Sequence, residues 1–251
     1  MDQSSADRTV AGRRNEQDGT APASMRTGML VPQNNTTMHV ELPAWLPPGT
    51  TCQRIGIPRA AGMLTLLDLG PYVDQALTLA QAFADGSVDV TVYGCTAAGI
   101  LAGPERDAEI AAQLEQVTGT PAVTTAGSML AWLRASGARD IALVTPYSDA
   151  VNDQLVEFLA GAAIHVRALS SFKADGVAAL GRITAVQVAE RASALMRDEG
   201  RNCDALFIGC SQLPTLEILD DLRARLSCPV SSSIHATAWQ VMQRVSNDVP
   251  A

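Results

Sequence analysis

Short apolar runs alternate with stretches of helical spacing along most of this chain. Gly28-Met-Leu-Val-Pro32 has the pattern of a short buried strand and stops in the polar loop Gln33-Asn34-Asn35-Thr36-Thr37. A second strand is predicted from Gln53 to Pro58. Between Tyr72 and Ala84, the residues Val73, Ala76, Leu77, Ala80 and Phe83 recur at the spacing of one helix face, and the pattern stops at Asp85-Gly86. The β-branched run Val88-Asp-Val-Thr-Val-Tyr-Gly-Cys-Thr96 predicts the next strand. Gly103-Pro104-Glu105 then opens a helix that runs to about Val117 and ends at Thr118-Gly119, with proline at its first position and an acid in its first turn. A strand at Pro121–Thr125 and a helix at Ser128–Ser136 follow.

The same order then returns. Asp140-Ile-Ala-Leu-Val-Thr-Pro146 ends, like the first strand, at a proline and a polar loop, Tyr147-Ser148-Asp149. A helix to about Ala162, a strand at Ile164–Leu169 and a helix at Thr184–Arg197 lead to Cys203-Asp-Ala-Leu-Phe-Ile-Gly-Cys-Ser211, which restates the earlier Gly-Cys-hydroxyl ending. A helix around Leu216–Leu226, the strand Pro229-Val-Ser-Ser-Ser233 and a last helix over Ala236–Val245 complete the copy. In both copies an aspartate stands six residues before the repeated cysteine, Asp89 before Cys95 and Asp204 before Cys210.

Alternating strands and helices in two matched halves predict an α/β fold. It has two pseudo-twofold-related lobes, each a parallel sheet flanked by helices. Residues 1–26 carry no apolar periodicity and are expected to be a disordered tail. The expected lobes are 27–125 with 234–251, and 126–233. Sites in such folds lie at the carboxyl ends of strands. Both repeated cysteines and both polar loops fall there, so two halves packed face to face would bring Cys95 and Cys210 to one cleft.

Composition narrows the chemistry. The 251 residues are 47% hydrophobic and 18% charged with a net charge of −8, which disfavours nucleic acid and anionic membrane as partners. No apolar run reaches membrane-spanning length, and no apolar segment follows Arg13-Arg14 to make an export signal. Five cysteines without a C-x-x-C pair disfavour a disulfide framework or a zinc ribbon and suit a reducing cytoplasm. Lys173 is the single lysine and is not preceded by glycine, which removes a phosphate-binding P-loop and makes a pyridoxal-phosphate enzyme a poor fit. There is no G-x-G-x-x-G after a strand, and His39, His165 and His235 are scattered without metal-ligand spacing. The expectation is an enzyme with no cofactor and no metal, working through cysteine.

A thiol needs help to ionise near neutral pH, and unpaired backbone N–H groups at the turn after each cysteine favour an anion. Those N–H groups, with the hydroxyls of Thr96 and Ser211, are suited to hold a carboxylate or an enolate. Two thiols flanking one carbon can deprotonate and reprotonate it from opposite sides, or one can attack while the other moves a proton. Cys95 and Cys210 are therefore expected to alkylate faster than Cys203 or Cys228, which look structural, as does Cys52. Thr96 and Ser211 equally suit capping roles, Asn35 a turn cap and Tyr147 a packing role. Asp89 and Asp204 read as turn residues, and His235 is a lesser candidate for the cleft wall.

Through Leu30-Val-Pro-Gln-Asn-Asn-Thr-Thr-Met38, Tyr93-Gly-Cys-Thr96, Val144-Thr-Pro-Tyr-Ser-Asp-Ala-Val-Asn152, Gly209-Cys-Ser211 and Pro229-Val-Ser-Ser-Ser233, the chain resembles the aspartate/glutamate racemase superfamily. It looks most like the branch of maleate cis-trans isomerases and arylmalonate decarboxylases. That resemblance spans roughly Gly28 to Gln243 and implies paired α/β lobes with the site between them. It implies that Cys95 attacks a double bond and Cys210 transfers a proton, with Asn35, Thr96, Ala97, Tyr147 and Ser211 at substrate-binding positions. Ala97 stands where a hydroxyl residue is common, His39 replaces the usual glutamate of the first loop, and Asp175 or Gly176 falls near a second substrate asparagine of the isomerases. Decarboxylases of this branch keep only the second cysteine. The activity expected is cofactor-independent isomerisation of a small carboxylate or dicarboxylate, maleate to fumarate. The alternatives are a two-base racemase, an arylmalonate-type decarboxylase, or a carboxylate-binding module without turnover. A cytoplasmic homo-oligomer, dimer or tetramer, is expected.

Overall fold

The computed structural model describes residues 24–59 and 62–247, so most of the expected tail lies outside the described residues. Eight strands form two four-stranded parallel sheets of identical order. The first comprises β1 (Arg26–Pro32), β2 (Thr51–Ile57), β3 (Val90–Tyr93) and β4 (Ala122–Thr124), arranged β2-β1-β3-β4. The second comprises β5 (Asp140–Thr145), β6 (His165–Ser171), β7 (Ala205–Ile208) and β8 (Val230–Ser232), arranged β6-β5-β7-β8. The central strands are buried on both faces, which explains their continuous apolar runs. β1 begins at Arg26, so the order expected from Gly28 starts earlier. The N–H and guanidinium of Arg26 donate to Asp89 at the head of β3. Asp204 does the same work in the second half, accepting from the N–H groups of Arg139 and Asp140. Both aspartates, read as turn residues, tie the amino ends of neighbouring strands together.

Ten α-helices are described: α1 (Met38–Ala44), α2 (Leu66–Ala80), α3 (Thr96–Ala102), α4 (Pro104–Thr118), α5 (Thr125–Ala135), α6 (Asp149–Ala160), α7 (Val177–Leu180), α8 (Ala185–Arg197), α9 (Leu219–Arg225) and α10 (Ser233–Asn247). Helix α2 starts six residues before the expected Tyr72, because Asp68 accepts from both the N–H and the hydroxyl of Thr65 and fixes the first turn. Pro71 is tolerated inside it: the carbonyl that loses its partner belongs to Leu67, which is 92% exposed and open to water. Helix α9 begins later than expected, since the segment after Cys210 is a series of turns.

The last helix of each half packs against the other half's sheet. Ala126, Met129 and Leu133 of α5 join the core built on β5 and β7. Ile234, Ala238 and Val241 of α10 cover the face of the first sheet formed by Met29, Val31, Val90 and Val92. Full burial of residues such as Ile234 and Val241 stabilises by about 1.5–3 kcal/mol each, so the exchange ties the halves together through apolar contact.

In each sheet the chain passes from the second strand back across the first to reach the third. The strand order therefore reverses between β1 and β3, and between β5 and β7. Loops leaving those two strands diverge and open a crevice at their carboxyl ends. The Asn35 loop and Cys95 leave one such crevice; Tyr147 and Cys210 leave the other.

Candidate active site

The two crevices meet. One cavity of about 30 Å³ is lined by Asn35, Cys95, Thr96, Ala97, Tyr147, Cys210 and Ser211, so the structure brings together every residue singled out for catalysis or substrate binding. It adds Arg59, Met63 and Gln212, together with Val177 and Leu180 of α7. Asp175 and Gly176 stand just outside, on an adjoining pocket of about 400 Å³ that shares Met63, Ala97 and Tyr147. His235 is elsewhere: its ring contacts Ser231 and Arg223 and meets Trp45 edge-on.

Cys95 is the N-cap of α3, with an ordinary extended backbone (φ −122°, ψ 90°). Burial pushes its thiol up, opposed by the N–H groups of Ala98 and Ala97, the charge of Arg59 and the Tyr72 hydroxyl. Cys210 is placed differently. It sits at φ +140°, where side chains are strained, no helix starts behind it, and its own N–H is taken by the Ser233 hydroxyl at 2.9 Å. Its thiol is pushed up to about 11, chiefly by burial and further by Cys95, against the Gln212 N–H and the Tyr147 hydroxyl. Both sulfurs are buried, whereas Cys52 and Cys228 are half-buried, and burial raises all four thiols, which runs against the ready alkylation expected of the pair.

The Cys210 loop is heavily bonded to the first half. Asn35 Nδ2 donates to the Ser211 carbonyl (3.1 Å) and hydroxyl (3.2 Å), and its Oδ1 accepts from the N–H groups of Thr37 and Met38 at the start of α1. Ser211 in turn donates to the carbonyl of Gly94. Gln212 accepts from the Thr36 N–H and donates to the hydroxyls of Thr36 and Thr37. The buried carboxylate of Glu41 accepts from the N–H and hydroxyl of Thr215 and the N–H of Leu216. Burial raises the Glu41 carboxyl, and those donors work against the rise. Asn35 is thus both the turn cap and a brace for Ser211.

On the other side the hydroxyl donors face the two sulfurs. Thr96 Oγ1 and the hydroxyls of Tyr72 and Tyr147 are buried without a partner of good geometry, and burial raises both phenols well above their ordinary value. The backbone of Tyr147 is held by Asn152 and Ser171, which donate to its carbonyl. Among the described residues no group of His, Cys, Asp or Glu is placed to hold a metal ion, and no helix is long and apolar enough to cross a membrane.

A family model described as arylmalonate decarboxylase matches residues 27–251. The chain belongs to this family. Among its relatives, the maleate isomerase of Geobacillus stearothermophilus is 26% identical over 233 residues, 88% of this chain and 92% of that protein. The arylmalonate decarboxylase of Bordetella bronchiseptica is 31% identical over 174 residues, 68% of this chain and 69% of the relative. A crystal structure of a cysteine-to-alanine variant of the maleate isomerase Iso from Pseudomonas putida S16, with maleate, superimposes with a TM-score of 0.81 at 25% identity, covering 91% and 94% of the two chains. The paired-lobe fold expected from the repeat is the fold of this family, whose members include cis-trans isomerases as well as decarboxylases.

Sequence reasoning missed Arg59, Tyr72, Gln212 and Glu41. Gln212 directly follows the repeated Gly-Cys-Ser and was within reach of the motif; the other three had no signal in the repeat.

Proposed function

We propose that this chain is a cofactor-independent cis-trans isomerase of a small dicarboxylate, converting maleate to fumarate. The observation that carries the reading is a pair of thiols of unequal character on one cavity, flanked by unpartnered hydroxyl donors. Cys95, at a helix N-terminus and near Arg59, is the better thiolate; Cys210, held to about 11, is the better proton carrier. The Cys95 thiolate adds to one alkene carbon, and the electron pair moves toward the adjacent carboxylate. Cys210 gives its proton to the second carbon. The former double bond, now single, rotates; Cys210 recovers the proton, and the carbon–sulfur bond breaks to release the trans acid and the thiolate. Thr96, Tyr147 and the N–H groups opening α3 stabilise the carboxylate that takes the charge. Asn35 and Ser211 shape the wall that carries Cys210. Neighbouring family members that isomerise maleate, and the presence of Cys95, support this over decarboxylation. The five unpaired cysteines support a cytoplasmic setting. A homo-oligomer, dimer or tetramer, belongs to the same proposal and is read by sedimentation equilibrium.

Proton NMR with maleate in deuterated water tests the chemistry. Wild-type protein is expected to form fumarate, and Cys95→Ser and Cys210→Ser to lose it. Carbon dioxide from an aryl malonate surviving loss of Cys95, or α-deuteration of an amino acid without maleate conversion, overturns the reading in favour of decarboxylase or racemase.

A further inference from the structure

The cavity carries a single formal charge. Among the described residues that line it there is no acid, and Arg59 is the one cation. Arg59 leaves the end of β2 and stands where the cysteine cavity adjoins an outer pocket of about 280 Å³, which it lines with Met63 and Tyr72. Its Nη2 donates to the Gly62 carbonyl at 3.1 Å. Its Nε is shielded from water and has no acceptor among the described residues. No described carboxylate pairs with it: Asp68, which lines the outer pocket with it and feels its charge, is engaged by Thr65.

A guanidinium N–H kept from water without an acceptor is costly unless a ligand completes it. The planar fork of Arg suits a carboxylate, which it can meet with two parallel hydrogen bonds. A dicarboxylate has two anionic ends, and the hydroxyls of Thr96 and Tyr147 serve one of them. We propose that Arg59 is the specificity-determining residue of this site, receiving the second carboxylate of a dianionic substrate and so selecting diacids over monoacids, half-esters and aryl acids. The proposal rests on the isomerase reading for the identity of the substrate. An uncharged end would leave the guanidinium desolvated and unpaired, which is how a polar site rejects an analogue that lacks the matching group.

The test compares wild type with Arg59→Met and Arg59→Lys. Turnover is measured with maleate and with its monomethyl ester, and binding of succinate and of propionate by calorimetry. In Arg59→Met, kcat/KM for maleate is expected to fall about 10- to 100-fold further than that for the half-ester, the excess mostly through KM, while the loss common to both substrates reports the weaker Cys95 thiolate. Arg59→Lys restores part of the diacid preference as a point charge. Succinate affinity falls in parallel and propionate affinity does not, with an unchanged thermal midpoint. Equal losses on diacid and half-ester, or a diacid preference that survives Arg59→Met, overturn the proposal and leave Arg59 as a support for the Cys95 thiolate or the Gly62 turn. If the wild type converts no maleate yet succinate binding still depends on Arg59, the isomerase reading fails and the diacid selection stands. If the wild type prefers no diacid at all, both fall.

Discussion

Cys95 and Cys210 end equivalent strands of equivalent sheets, yet their surroundings differ at every level. Gly94 is required by packing: a Cβ there would lie 2.5 Å from Val31 and 2.7 Å from Met38, whereas one at Gly209 would meet nothing closer than 3.7 Å. Cys95 has relaxed backbone, a helix behind it, a cation nearby and idle donors around it. Cys210 has strained backbone, no helix behind it, and a loop bonded at nearly every polar atom to the first half. In the proposed reaction the same motif serves two uses: around Cys95 several groups oppose the rise that burial gives its thiol, and Cys210 is held higher, to about 11.

The largest test of that difference is chemical. Cys95→Ser is expected to lower kcat for maleate by about 10⁴-fold or more, the scale of losing a nucleophile. Cys210→Ser is expected to lower it by about 10²- to 10⁴-fold, the scale of losing a general acid-base group. Equal, small losses would erase the division of labour.

The braced side should answer in stability. Glu41→Ala leaves the buried N–H groups of Thr215 and Leu216 without an acceptor and is expected to cost about 2–4 kcal/mol in urea unfolding. Thr96→Val removes a hydroxyl without a well-formed hydrogen bond, so stability should hold within about 0.5 kcal/mol while KM rises. A Thr96→Val that unfolds readily, or a Glu41→Ala that does not, would reverse the assignment of brace and binding side.

These contrasts also show what the sequence makes legible. Strand runs and long helices announce themselves by period, and Cys95, Cys210 and the Asn35 loop announce themselves by repetition. Helices α1, α3 and α7 run for two turns or fewer, too short for a period to register. Glu41 looks like any acid in a first helical turn until Thr215, 174 residues away, comes to it. Tyr72 looks like an amphipathic core position, and it is one, with its hydroxyl directed toward Cys95. Arg59 stands outside the proline-loop and Gly-Cys-hydroxyl segments whose repetition revealed the cysteines, so that repetition does not mark it.

Acidity gives a subtler test. Both thiols are raised, so their protonated forms dominate at neutral pH and ionise only as pH climbs, Cys210 last, near 11. Iodoacetamide labelling followed by mass spectrometry between about pH 7 and 9 should modify Cys52 and Cys228 first, then Cys95, then Cys210. Labelling of Cys210 ahead of Cys95 would place the better thiolate on the wrong side. kcat/KM should rise across the same interval if, as proposed, the free enzyme must ionise Cys95.

The smallest effect concerns the backbone. At φ +140°, Cys210→Gly relieves strain of about 1–3 kcal/mol and offsets the lost side chain, so its melting midpoint should stay near that of the wild type. Cys95→Gly relieves nothing and is expected to cost about 1–2 kcal/mol. Matching midpoints would mean that the strain at Cys210 has no energetic weight.

The size of the cavity bears on time as well as fit. The cysteine cavity, about 30 Å³, is narrow beside the two larger pockets that share its lining, so the isomerase reading requires its walls to part for a four-carbon diacid. Encounter is then limited by how often they do, and association should run below the diffusional range and respond to viscosity only weakly. Once the walls return, bulk solvent is outside. In the proposed reaction the carbanion formed after sulfur addition then meets the Cys210 thiol and the Tyr147 and Thr96 hydroxyls rather than bulk water.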